Sequence, residues 1–320
     1  MVKVDMTLDL PAILSAHERI RPYVHRTLVL TSSCLDEASG ASLFFKCENF
    51  QKIGAFKARG ATNAVLSLDE ATARRGVATH SSGNHGAAVA RAAKLRGIPA
   101  HIVMPSNSAK VKIRAVESYG ARVVFCEPTE EAREATCADV IAKTGATLIH
   151  SFENPDVIAG QGTAAVELLE DVPDLDLVMC PVGGGGLLAG TAVAAKLRRP
   201  NVKVIAAEPE NADDAAQSFR AGRVIHTEKK FTIADGLRTN VGEPNFAIIR
   251  RYVDDIVTVS EDAIISAMRT IWETMKIIVE PSAAVPFAAI QEGKIGVPEK
   301  RVGIILTGGN VDLDALPWNL

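Results

Sequence analysis

An alternation constrains this chain more than anything else. Short, nearly uninterrupted apolar runs rich in Val and Ile are followed repeatedly by longer Ala-rich stretches, with Gly or Pro at the joints. "GVATHSS" (76–82) reads as a strand, "GAAVARAAKLRG" (86–97) as a helix and "AHIVMP" (100–105) as a strand. Helix "SAKVKIRAVESYG", strand "ARVVFC", helix "EEAREATCADVIAKTG" and strand "ATLIHSF" (146–152) complete the first series. A second series follows "NPDVIAGQG" (154–162): helix "TAAVELLED", strand "LDLVMCPVG", helix "GLLAGTAVAAKLRR" and strand "VKVIAAEPE". Helix "EDAIISAMRTIWETM" (261–275) and strand "RVGIILTGG" (301–309) close it. Strands that are apolar throughout, rather than at alternate positions, belong to parallel sheets covered on both faces. Helical crossovers then give an open α/β sheet. A chain of 320 residues exceeds what one core usually holds. The expectation is therefore two α/β lobes of open, mostly parallel twisted sheet, with helices on both faces. Residues 1–70 and 154–320 would form the larger lobe and 71–153 the smaller, which would close over a ligand.

Composition narrows the function classes. Hydrophobic residues make up 47%, charged residues 23%, and the formal net charge is −3 without any long Lys/Arg run. Nothing there favours a nucleic-acid or membrane-surface partner. The five cysteines (Cys34, Cys47, Cys126, Cys137 and Cys180) are odd in number and contain no CxxC, which speaks against a disulfide framework or a cysteine zinc site. The N-terminus lacks a signal-peptide pattern and no uncharged stretch is long enough to span a bilayer. Cytoplasm or an equivalent reducing compartment is the expectation. The chain stops at "VDLDALPWNL", so no C-terminal regulatory domain is expected.

Ligands in open α/β sheets bind beyond the carboxyl ends of strands, and four turns lie at such ends: "SSGNHG", "CPVGGGGLLAG", "AAEPENADD" and "LTGGN". Gly183–Gly186 in "VGGGG" joins a strand to a helix and suits an anion held by backbone N–H groups. It also reads as a plain tight turn. With Glu208 ending the next strand, it reads as a dinucleotide fingerprint of the form G-x-G-x-x-A as well. "SSGNHG" (81–86) either grips a carboxylate or caps a helix through Ser82 or Asn84. His85 alone reads as a structural hydrogen-bonding group. "NADD" (211–214) reads as a helix cap with acids in the first turn. In "FQKIGAFKARGA" (50–61), Lys57 is either a solvated charge or a nucleophile held against a flat cofactor.

Together "FFKCENFQKIGAFKARGA", "HSSGNHG", "IAGQGT", "PVGGGGLLAG", "AAEPENADD", "IADGLRT", "VEPSAA" and "LTGGNVDL" resemble the serine racemase and threonine/serine dehydratase family, in the same order from about residue 15 to 315. These are fold-type II pyridoxal-phosphate enzymes, with an architecture like that of the tryptophan synthase β-subunit. The resemblance implies that Lys57 binds pyridoxal 5'-phosphate as a Schiff base, with Phe56 against the ring. Gly183, Gly184, Gly185 and Gly186 would hold the phosphate, Asn84 the ring hydroxyl, and Thr307 would face the pyridine nitrogen. Ser81, Ser82, Gly83, Asn84 and His85 would take the substrate carboxylate, and Ser82 would serve as the proton donor on the second face in a racemase. Arg133 would approach the distal group of the substrate, with Arg238 as a further cation for a second carboxylate. Glu208, Asp214 and the carbonyl of Ala212 would bind a divalent cation: Mg²⁺ foremost, with Ca²⁺ and Mn²⁺ suiting the same donors. The implied activity is dehydration and deamination of serine, threonine or 3-hydroxyaspartate by a homodimer, with racemisation as the alternative. A nicotinamide-dependent oxidoreductase and a catalytically inert ligand-binding relative are the readings from other classes.

Overall fold

A computed structural model describes residues 8–81, 83–108, 110–228 and 231–318. The described strands are β1 (Val29–Leu30), β2 (Ser42–Cys47), β3 (Val77–His80), β4 (Ala100–Pro105), β5 (Arg122–Cys126), β6 (Thr147–Leu148), β7 (Leu177–Pro181), β8 (Lys203–Pro209), β9 (Asp255–Val259) and β10 (Arg301–Leu306). They form two sheets. The six-stranded one has order β1-β2-β10-β7-β8-β9 and the four-stranded one β5-β4-β3-β6. Every pairing is parallel except β1 with β2 at one edge. The chain is thus an α/β protein of two open, mostly parallel sheets.

Helices cover both faces of the larger sheet, as the apolar strands require. Helices Glu261–Met275 and Pro281–Gln291 bury Ile264, Met268, Ile271 and Phe287 against one side. Helices Pro155–Asp171, Gly186–Arg198 and Glu243–Tyr252 bury Leu168, Leu188 and Ile249 against the other. In the smaller sheet, helices Lys57–Ser67 and Asn84–Arg96 bury Val65 and Val89 on one face. Helix Glu130–Thr144 places Cys137 and Val140 on the other.

The helix expected at 163–171 begins eight residues earlier, at Pro155, with Asn154 Oδ1 accepting from the Val157 N–H at 3.1 Å. Gly160 and Gly162 sit inside it and do not break it. A Cβ on Gly160 would lie 2.6 Å from Gly60 Cα, and one on Gly162 would lie 2.8 Å from Gly190 O. These glycines are crossing points where three helices touch backbone to backbone. Strand "ATLIHSF" is shorter than expected: the strand ends at Leu148, Ile149 N–H still donates to Ala78 O at 2.9 Å, and residues 150–153 form a wall of the cavity described below. No helix is long and apolar enough to cross a membrane among the described residues.

Candidate active site

A cavity of about 540 Å³ lies at the carboxyl ends of strands from both sheets. Three of the four ligand-suited turns meet there: the one after β3, the one after β7 and the one after β10. Of the residues singled out in the sequence, Phe56, Lys57, Ser81, Gly83, Asn84, His85, Arg133, Gly183, Gly184, Gly185, Gly186 and Thr307 line it. Ser82 lies outside the described residues. Arg238 is not among the lining residues: its guanidinium donates to Thr232 O at 2.7 and 3.1 Å. The expectation that it supplies a cation to the substrate is corrected accordingly.

Lys57 opens helix Lys57–Ser67, and its Nζ donates to Ser151 O at 2.9 Å. Burial drives its pKa down to about 8, although the Glu280 carboxylate pulls the other way. Desolvation disfavours the ammonium, so the neutral amine is populated at a pH where an exposed lysine is charged. The Nζ lies 5.2 Å from the Phe56 ring centroid. Phe56 itself is pinned by its N–H donating to Thr307 O at 2.9 Å.

The glycine turn is shaped for close approach. Gly185 has φ +87°, and a Cβ on Gly184 would meet the Phe152 ring at 2.4 Å. Asn245 Nδ2 donates to Gly184 O at 2.6 Å and to Phe152 O at 2.8 Å, holding the turn to the wall. Helix Gly186–Arg198 starts there, so the first-turn N–H groups face the cavity end with no intrahelical acceptor. Thr307, only 2% exposed, carries an Oγ1 with no hydrogen-bond partner. A buried hydroxyl in that state fits a ligand atom that bonds it. An anion cradle, an amine whose pKa is drawn down and an unpartnered hydroxyl in one cavity fit pyridoxal phosphate.

Asn84 starts helix Asn84–Arg96 and is held from two sides. Its Nδ2 donates to both Glu280 oxygens at 3.0 and 3.1 Å, and its Oδ1 accepts from Asn310 at 2.8 Å. Burial, followed by the charge of Asp235, pushes Glu280 up to about 7. His85 differs from a carboxylate-binding side chain. Its Nε2 meets Ile149 O at 2.9 Å, and burial lowers its pKa to about 3. Since a carbonyl only accepts, Nε2 carries the proton and the neutral ring offers Nδ1 as an acceptor. Only the backbone of this residue suits an anion. Arg133 lines the opposite wall on helix Glu130–Thr144. Lys112 and Asp235, paired at 2.8 Å, join the two halves of the cavity.

Glu280, Asn310, Phe152 and Asn245 are site residues that the strand–helix reading misses. The signal for Glu280 lies only in the motif "VEPSAA" and that for Asn310 only beside "LTGG", while Phe152 and Asn245 lie at the end of "ATLIHSF" and in "GEPNF", where no local pattern assigns them a role.

The fourth turn, after β8, lies outside this cavity. Glu208 is fully buried, and its carboxylate accepts from Ala215 N–H (3.3 Å) and Ala216 N–H (2.9 Å). A ribose-binding role, as the dinucleotide fingerprint requires, is excluded by that burial and engagement. Asp214 Oδ2 accepts from Val241 N–H at 2.7 Å. Burial, then the Asp214 charge, pushes Glu208 well above the carboxylate range. Two buried carboxylates that repel each other beside the buried Ala212 fit a hard cation. Among the described residues no three His, Cys, Asp or Glu side chains are arranged around one point; the expected set contains only two.

Comparison with known proteins agrees with this geometry. A family model described as "Pyridoxal-phosphate dependent enzyme" matches residues 20–308. A beta-hydroxyaspartate dehydratase of Paracoccus denitrificans is 50% identical over 307 residues, covering 96% of this chain and 98% of that one. A serine racemase of Arabidopsis thaliana is 50% identical over 316 residues, covering 97% and 95%. The crystal structure of serine racemase from Dictyostelium discoideum superposes with a TM-score of 0.91 at 51% identity, over 96% of this chain and 99% of that one. With a match that spans both sheets and every turn of the cavity, the chain belongs to the pyridoxal-phosphate-dependent enzyme family.

Proposed function

We propose that this enzyme dehydrates a small β-hydroxy-α-amino acid (serine, threonine or 3-hydroxyaspartate), and that the enamine released hydrolyses through the imino acid to a keto acid and ammonia. The observation that carries this reading is Lys57, an amine with its pKa drawn down to about 8 in a cavity with a glycine anion cradle. Bound there, pyridoxal phosphate supplies the electron sink that acidifies the substrate α-C–H. Lys57 holds the cofactor and then takes the α-proton. Phe56 lies against the ring, Gly183–Gly186 hold the phosphate, and Asn84 meets the ring hydroxyl. Thr307 offers a neutral hydroxyl to the ring nitrogen, which favours its protonation less than a carboxylate would. That suits prompt loss of a β-leaving group. Ser81 and the backbone of Gly83–His85 take the substrate carboxylate, and Arg133 meets the distal group.

Racemisation is the second reading. It is supported by a serine racemase relative as similar to this chain as the dehydratase is. Ser82 is its second-face proton donor. Glu208, Asp214 and the Ala212 carbonyl hold Mg²⁺, or Ca²⁺ or Mn²⁺, away from the reacting atoms. The unit 71–153 closes over the substrate, and the enzyme is a cytoplasmic homodimer. The test is a product assay with each stereoisomer of the three substrates. Keto acid and ammonia in equal amounts are expected. Inversion with no ammonia would select the racemase reading, and no turnover of any of the three would reject both.

A further inference from the structure

Four ionised side chains lie buried behind the helix that carries Lys57. Lys46, Glu48 and Arg59 are fully buried and Glu167 is 3% exposed. Arg59 grips Glu48 through Nε (2.7 Å) and Nη2 (2.8 Å), and Glu167 through Nη1 (2.8 Å) and Nη2 (2.7 Å). Lys46 Nζ adds a bond to Glu167 Oε2 at 2.7 Å, and Thr27 Oγ1 one to Glu48 Oε1 at 2.6 Å. The four charges sum to zero. Charges buried in this way are costly unless fully paired, and swapping them for apolar residues often leaves a fold equally stable. Fold stability alone therefore does not explain the cluster.

Its position suggests another role. Helix Lys57–Ser67 has Phe56 at its N-cap, with no side-chain capping bond. The first turn, where Lys57 sits, thus lacks the usual local anchor. Arg59 is in that turn. Glu167 belongs to helix Pro155–Asp171, which directly follows the loop whose Ser151 O accepts from Lys57. The two helices touch at Gly60 and Gly160, where Gly60 N–H also donates to Gln161 Oε1 at 3.1 Å. One clamp therefore fixes both ends of the Lys57–Ser151 contact.

We propose that Arg59 is a positioning residue: held between Glu48 and Glu167, it keeps the first helical turn in register with the 150–153 loop, so that Lys57 Nζ stays on Ser151 O in the cavity that the glycine turn also lines. The inference rests on Lys57 being the cofactor-bearing lysine. A lysine shorter of donors cannot reproduce the double fork, so Arg59→Lys keeps the charge and loses the geometry. The charged group that acts on Lys57 is Glu280, and the Lys57 charge in turn lowers the pKa of His85 from helix Asn84–Arg96 and of His150 from the loop; none of the three is altered by the substitution.

The experiment measures the pH dependence of Lys57 labelling by an amine reagent, read by mass spectrometry, in cofactor-free protein and after adding pyridoxal phosphate, with kcat and KM beside it. In Arg59→Lys the labelling midpoint rises toward that of an exposed lysine. The value of kcat falls at least about tenfold, while KM changes less than about threefold. Should Arg59→Lys fail to fold, Thr163→Val removes only the 3.2 Å bond to Arg59 Nη1 and the 2.7 Å bond to Gly160 O; a smaller shift in the same direction is expected. A folded variant with reduced melting temperature but unchanged labelling midpoint and kcat overturns the proposal. Failure of the cofactor to protect Lys57 in the unsubstituted enzyme would instead overturn the assignment of Lys57 itself.

Discussion

Replacing Thr307 by Val should act in opposite directions on stability and on cofactor binding. Thr307 directly follows β10, and its carbonyl accepts the Phe56 N–H at 2.9 Å, a bond that Val keeps. The side chains are nearly the same shape, so no cavity opens. The change deletes a hydroxyl that is buried and has no partner. An unsatisfied buried hydroxyl costs about 1–3 kcal/mol. Without cofactor, Thr307→Val should therefore be the more stable protein, by about 1.5–4.5 °C in Tm for a chain of 320 residues. With cofactor the sign reverses. A hydrogen bond from the hydroxyl to the ring contributes about 0.5–1.5 kcal/mol, so Kd for pyridoxal phosphate should rise about two- to twelvefold. Differential scanning calorimetry of the cofactor-free protein and spectrophotometric titration with cofactor give the two quantities. A lower Tm without cofactor, together with an unchanged Kd, would show that the hydroxyl is paired within the protein and that the ring nitrogen does not face it.

Four further outcomes are expected. Lys57→Ala should abolish turnover and the borohydride-reducible cofactor linkage. In the unsubstituted protein, burial lowers the Lys57 pKa to about 8, so the free amine dominates above that pH; the rate of cofactor attachment should level off there and fall about tenfold for each unit below, as stopped-flow absorbance would show. Glu208→Ala or Asp214→Ala should remove Mg²⁺-dependent gains in Tm and activity, because an ion bound only by the folded state stabilises it by mass action; an unchanged response to chelator would rule out the cation site. Arg133→Ala should lower kcat/KM for 3-hydroxyaspartate about ten- to hundredfold more than for serine, from a charge-assisted bond of about 1.5–3 kcal/mol; proportional losses on all substrates would mean that Arg133 does not read the side chain.

The sequence by itself determined the class of fold and the places where a ligand sits. Apolar runs without alternation, bounded by glycine and proline, read as strands of a sheet covered by helices, and glycine-rich turns at their ends leave backbone N–H groups free. Both facts are local, and both are legible residue by residue. The reading was weaker where local rules and packing conflict. Gly160 and Gly162 look like helix breakers, yet they lie within a helix because its neighbours approach too closely for a Cβ. β2, β9 and helix Pro281–Gln291 were not legible: the first carries a buried lysine, Lys46, the second is an edge strand, and the third carries Pro286 within it. The chemical state of the site came only from tertiary structure. Lys57 and its acceptor Ser151 are 94 residues apart, and Asn84 and Glu280 are 196 apart. A lysine's pKa depends on the solvent it loses and the charges it gains, and both are set by distant segments that pack around it. The same holds for His85. The sequence leaves it open as donor or acceptor, and the carbonyl of Ile149 makes it a neutral ring with its proton on Nε2.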